Sequence, residues 1–252
     1  MHIRLWLALA LILGAIAHPR LPAAAQEVDL LLALCVDGSG SIDEEEFQLQ
    51  RGGYARALAD PRVLNAIRSG HTGAIAVAYI EWGTPGAPRP VLDWTIIKDA
   101  ASAQAWGDAL LRSQRQPQSY NAIGDALDLA TMMIKAAPIK AERAVIDLSG
   151  DGPDLRSHKP ARVARDQAVA AGITVNALAI FKPGSGNVGG LYGQSLDQYY
   201  ERDVIGGPGA FVQVAEDFKS FGDAILQKLV REIAFAPATE SKTKAAANRE
   251  QQ

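Results

Sequence analysis

The chain has 252 residues, 48% hydrophobic and 21% charged, with a formal net charge of -3. This composition suits one good-sized globular domain and excludes a collagen-like, coiled-coil or wholly disordered chain. A mildly acidic chain without a Lys/Arg-rich stripe argues against nucleic acid or anionic lipid as a main partner.

The chain starts with a short basic segment, Met1-His2-Ile3-Arg4, followed by an apolar run over 5–17 and the small residues Ala23-Ala24-Ala25. This pattern reads as a Sec signal peptide over 1–25, cleaved after Ala25, with Ala15-Ile16-Ala17 as a second site. The run is short for a bilayer span, and a retained anchor is the alternative. The mature chain is expected to be secreted or periplasmic, with no stable membrane span. Residues 26–236 form the expected domain. Residues 237–252 are polar and Ala/Lys-rich, without a core pattern, and read as a disordered tail.

Within the domain, residues 28–36 are a nearly unbroken apolar run that ends in Asp-Gly, as a strand buried on both faces does. A helix follows over 44–58, and the acids Asp43-Glu44-Glu45-Glu46 mark its first turn. Residues 72–82 form a second strand. Residues 83–90 hold three prolines and two glycines and form a loop. A third strand over 91–97 then runs antiparallel to the second. Helices are expected over 99–111 and 124–137, a strand over 144–149, and a helix over 160–171 stopped by Gly172. A fifth strand over 173–181, a sixth over 211–215 and a closing helix over 217–233 complete the order. Alternation of strands and helices predicts an α/β fold. Its form is a Rossmann-like, doubly wound, mostly parallel six-stranded sheet with one antiparallel edge strand and helices on both faces. Ligands in such sheets bind at the carboxyl ends of strands, near a switch in strand order.

The first strand ends in Asp37-Gly38-Ser39-Gly40-Ser41. Glycines let this segment fold tightly, and the D-x-S-x-S spacing turns one carboxylate and two hydroxyls toward a common point. These are hard oxygen donors, suited to Mg2+, Mn2+ or Ca2+ rather than zinc. The fourth strand ends in Ser149-Gly150-Asp151-Gly152. If strands one and four are neighbours, Asp37 and Asp151 face one another and repel unless a cation lies between them. The bland alternative for the first segment is a solvated turn with Ser41 or Asp43 capping the next helix.

D-x-S-x-S after strand one, a polar residue before a helix, and D-G after strand four together resemble the von Willebrand factor A domain. The resemblance covers roughly residues 28–235, the size of one domain. It implies a metal-ion-dependent adhesion site in which Ser39 and Ser41 hold the cation directly, and Asp37 and Asp151 hold it mostly through water. The family's third loop carries a threonine where counting back from Leu127 gives Asn121. An Asn amide oxygen also ligates a hard cation but reaches further than a hydroxyl. Asn121 reads equally as a helix N-cap, and Ser119 is a substitute ligand if the loop shifts. The segment from Tyr199 to Val212 also resembles a bacterial branch of these domains.

Other features are weaker. Gly184-Ser185-Gly186-Asn187-Val188-Gly189 fits a dinucleotide fingerprint but opens no helix and reads as a loop. Cys35 is the only cysteine and reads as a buried strand residue. Ser39 as a hydrolase nucleophile lacks the G-x-S-x-G setting, and its base would have to be His71 or His158. The expected function is a secreted, divalent-cation-dependent binding module that engages a protein partner's Asp or Glu carboxylate. A metal-assisted hydrolase and a metal-free structural domain are the alternatives.

Overall fold

The computed structural model describes residues 26–116, 118–181 and 193–234. The expected signal segment, the glycine-rich fingerprint and the expected tail lie outside these described residues. Among the described residues, no helix is long and apolar enough to cross a membrane.

Thirteen elements are described: β1 (Glu27–Asp37), α1 (Glu44–Ala59), α2 (Pro61–Arg68), β2 (Ile75–Trp82), β3 (Arg89–Ile97), α3 (Ala100–Arg112), α4 (Ile123–Ala136), β4 (Lys140–Gly150), α5 (Ala161–Ala170), β5 (Thr174–Ile180), α6 (Leu196–Asp203), β6 (Val212–Ala215) and α7 (Phe221–Ala234). The strands form one sheet in the order β3-β2-β1-β4-β5-β6. β3 is antiparallel to β2, and the other pairings are parallel. The expected architecture is the observed one.

β1 is central, and its side chains alternate between two cores. Leu30, Leu32, Leu34 and Val36 join the core under α1, α2, α3 and α7. From Leu31 the alternate residues Leu31, Ala33 and Cys35 join the core under α4, α5 and α6, as does Val28, out of phase ahead of Asp29. This period of two, apolar on both faces, is why the segment reads as a continuous hydrophobic run. Cys35 is fully buried, and burial pushes its thiol pKa upward.

Two helices have no counterpart in the sequence reading. At α2, Asp60 ends α1 and caps the next helix by accepting from Arg62 N–H, with Pro61 in the first turn. α6 is short and buries Leu196 and Tyr200. Some boundaries move as well. β4 begins at Lys140 rather than 144, and α7 at Phe221 rather than 217. The early part of β4 alternates between exposed and half-buried residues, so no apolar run announces it. Before α7, Asp217 and Ser220 bond each other's backbone in a turn.

The chain leaves β1 for β2 and β3 on one side and returns to β4, β5 and β6 on the other. The order therefore reverses between β1 and β4, which pair from Glu27 and Lys140 to Val36 and Ser149. The carboxyl ends of these two strands form the crevice where this fold binds ligands.

Candidate metal centre

Asp37 is the last residue of β1 and is fully buried. Its Oδ1 accepts from Ser39 N–H at 2.8 Å, which curls the glycine-rich turn back on the strand end. Its Oδ2 accepts from Asp151 N–H at 3.4 Å, across the β1–β4 crevice. Ser39 Oγ and Ser41 Oγ are 2.9 Å apart, and Ser41 Oγ donates to Asp151 Oδ1 at 2.9 Å. Four of the five expected donors thus form one linked cluster. Gln50 of α1 supports it from beneath, donating to the Asp37 carbonyl at 3.2 Å.

Burial pushes the Asp37 carboxyl pKa up to about 8, and the Asp151 charge adds to the rise. The hydrogen bonds from Ser39 and Asp151 offset part of it. The donors fit a hard divalent cation: two carboxylates, two hydroxyls, and an electrostatic penalty that positive charge would relieve. Among the described residues there is no cluster of three or more His, Cys, Asp or Glu side chains suited to a metal. Here two carboxylates are joined by hydroxyls, so the oxygen chemistry differs from that of a zinc site.

Asn121 lies just before α4, and its amide packs against Gly152. A Cβ on that glycine would sit 2.1 Å from Asn121 Nδ2, so the second Asp-Gly admits no larger residue without displacing Asn121. Asn121 does not cap α4. The Ile123 and Gly124 N–H groups instead donate to Asp154 Oδ1 at 2.9 and 3.3 Å, and Gly124 N–H also reaches Ser157 Oγ at 2.9 Å. Asp154 Oδ2 accepts from Ala161 N–H at 2.9 Å, so one carboxylate caps both α4 and α5. Ser119 is held elsewhere: its N–H donates to Thr84 Oγ1 at 2.9 Å.

Sequence reasoning missed Asp154, whose cap spans some 30 residues, and missed the partner of His158. The Asp125 carboxylate accepts from Gly86 N–H at 2.7 Å and from His158 N–H at 2.9 Å, and it lies 3.0 Å from His158 Nδ1. Burial alone would raise the Asp125 pKa, but these hydrogen bonds outweigh it and the net shift is downward. His158 is therefore anchored to Asp125 with its ring 73% exposed, whereas Ser39 Oγ is bonded to Ser41.

The family model described as protein of unknown function (DUF1194) matches residues 27–237. No curated protein matches the chain. Solved structures share the fold at low identity. A von Willebrand factor type A protein from Catenulispora acidiphila is 18% identical at a TM-score of 0.55. The match covers 82% of this chain and 43% of that one. Proximal thread matrix protein 1 from the mussel byssus, described with a zinc-occupied MIDAS motif, is 14% identical at 0.56. Coverage is 83% of this chain and 46% of that one. The vWF domain of the type V pili tip protein Mfa5 from Porphyromonas gingivalis is 10% identical at 0.54. Coverage is 86% of this chain and 100% of that domain. The chain spans less than half the length of the first two of these proteins.

Proposed function

Since the chain belongs to the family of proteins of unknown function DUF1194 and has the von Willebrand factor A fold, we propose that it is a divalent-cation-dependent protein-binding module. The observation that carries this reading is the linked cluster of Asp37, Ser39, Ser41 and Asp151 at the β1–β4 switch point, with Asp37 buried against a second carboxylate. Asn121 is the fifth donor in this reading, freed for the role because Asp154 caps α4. Mg2+, Mn2+ or Ca2+ suits these oxygens. A cation held by these residues would offer an Asp or Glu carboxylate of a partner protein a point of attachment. The residues of this chain do the rest. Ser39 and Ser41 present hydroxyls, Asp37 and Asp151 supply balancing charge, and the capped helices hold the loops in place.

Two of the structural neighbours support the reading by kind: one holds a divalent metal, zinc in that case, at its MIDAS motif, and another is a pilus tip protein. A place outside the cytoplasm, secreted or periplasmic, fits both them and the basic-apolar-small start of the chain.

Isothermal titration of the chelator-stripped chain with Mg2+, Mn2+, Ca2+ and Zn2+ tests the reading. Binding of Mg2+ or Mn2+ at millimolar metal or below is expected, and loss of that binding in Asp37→Ala. No heat for any of these metals, or an Asp37→Ala variant that titrates like the parent chain, would sink it. Asn121→Ala is expected to weaken metal binding about tenfold, as removal of one oxygen donor does, while the chelated protein melts unchanged.

A further inference from the structure

Two non-glycine residues among those described hold a left-handed backbone, Tyr120 at φ 44° and Arg156 at φ 66°. They meet in space: the Arg156 guanidinium carbon lies 4.6 Å from the centre of the Tyr120 ring. Both stand on loops that carry candidate metal donors. Tyr120 directly precedes Asn121, and Arg156 lies on the loop that Asp151 opens. A 2.6 Å hydrogen bond from Leu155 N–H to the Asn121 carbonyl ties the two loops together beside the pair.

This conformation carries a steric penalty that glycine avoids, and such strain concentrates at ligand-binding surfaces. Here it sets two large side chains outward. Tyr120 is 48% exposed and Leu155 50% exposed, and Arg156 is exposed beside them. Among the described residues, Arg156 makes no ion pair and no hydrogen bond, and its contact is the ring face. A guanidinium held over a ring face and engaged by no carboxylate keeps N–H donors available for one.

We infer that Arg156, stacked on Tyr120 beside Leu155, is a second acid anchor on this rim, so the partner segment that docks here carries two carboxylates, one for the cation and one for Arg156. The inference rests on the metal-binding reading above. The cation and the guanidinium give the rim two positive points, and the exposed Tyr120 and Leu155 surfaces receive the apolar stems between the two acids. An acidic protein segment meets both demands, with side chains long enough to reach each point.

The test uses the full chain, stripped of metal and loaded with Mn2+, and two sets of blocked, fluorescently labelled hexapeptides. One set carries two glutamates at each spacing from adjacent to four apart. The other has one glutamate changed to glutamine. Fluorescence anisotropy reads affinity, and a separate titration reads Mn2+ binding. The best two-acid peptide is expected to bind at least about tenfold tighter than its one-acid match, the scale of one charge-assisted bidentate contact. Arg156→Gln is expected to erase that difference with Mn2+ affinity unchanged, and Arg156→Lys to restore part of it. Equal binding of both sets, absence of binding by either set to the Mn2+-loaded chain, or a preference that survives Arg156→Gln overturns the anchor and leaves the metal reading standing. Failure of Mn2+ to bind removes the metal reading, and the anchor with it.

Discussion

Two buried carboxylate groupings in this chain have different company. Deep between α7 and the sheet, Asp147 of β4 and Glu232 of α7 share Lys228, whose Nζ lies 2.6 Å from Asp147 Oδ1 and also pairs with Glu232, all three fully or almost fully buried. At the carboxyl edge of the same sheet, Asp37 is equally buried, yet its partners among the described residues are the Ser39 and Asp151 hydrogen-bond donors, with no basic side chain. Burial is the largest cause pushing both Glu232 and Asp37 up to about 8, with a neighbouring Asp adding to each. In the interior grouping Lys228 balances one of the two carboxylates, and the raised pKa of Glu232 keeps the other largely protonated at neutral pH. The edge grouping lies at the carboxyl ends of β1 and β4, where Ser41 is exposed and Asp151 half-buried, and the proposed function gives it a cation from outside the chain. On the proposed function, the difference separates a structural use of buried charge from a binding one.

The interior grouping depends most on Lys228. Lys228→Met leaves Asp147 and Glu232 buried without their cation, which costs about 3–5 kcal/mol. Urea unfolding is the measurement, and metal binding at the far edge is expected to persist in whatever fraction stays folded. The edge half responds with the opposite sign. Asp37→Asn removes the facing charge, so the chelated variant is expected to be more stable than the parent at about pH 8 by about 1–2 kcal/mol, while losing metal affinity. A loss of stability of similar size would mean that Asp37 serves the fold rather than a ligand.

The pH dependence sharpens the contrast. A carboxyl whose folded pKa is raised contributes stability that is full below its unfolded pKa and is lost as pH climbs through the folded value. For Asp37 that window runs from 3.8 to about 8, and for Glu232 from 4.5 to about 8. Stability of the chelated chain is therefore expected to fall across this range. Saturating Mg2+ is expected to remove the Asp37 share and leave the Glu232 share. The gap between metal-loaded and chelated melting temperatures then widens with pH in the parent chain and vanishes in Asp37→Asn. A smaller effect is expected at Asp154. Asp154→Ala uncaps α4 and α5 together and is expected to cost about 1–2 kcal/mol in thermal unfolding, the scale of lost N-caps. It should also weaken metal binding less than Asp37→Ala does, because Asp154 holds the loops rather than the cation.

The sheet was legible because its strands announce themselves locally. The apolar run of β1, the Asp-Gly endings of β1 and β4 and the Gly/Pro loop before β3 each lie within a few residues. α2 and α6 were not, although each carries a local signal. Asp60-Pro61 is an N-cap followed by a first-turn proline, and Ser195 with Gln198 forms a capping box. Both helices are only eight residues long, shorter than the window over which a helical period is read, although Val63, Leu64 and Ile67 do share one buried face of α2. At the candidate site, Asp37, Ser39, Ser41 and Asp151 stand in two compact motifs, and the order of strands brings those together. The rest depends on contacts between distant loops. Asp154 takes over the cap that spacing offered to Asn121. Asp125 anchors His158, and Arg156 finds Tyr120 through backbone conformations that residue type does not disclose.

The most direct measurement is an anomalous difference map from crystals of this chain grown or soaked in Mn2+. A single strong peak among Asp37, Ser39, Ser41 and Asp151, absent in Asp37→Asn crystals, is the predicted result. A map without a peak there at millimolar Mn2+, or with Mn2+ bound elsewhere while these four side chains keep their mutual hydrogen bonds, would contradict the account.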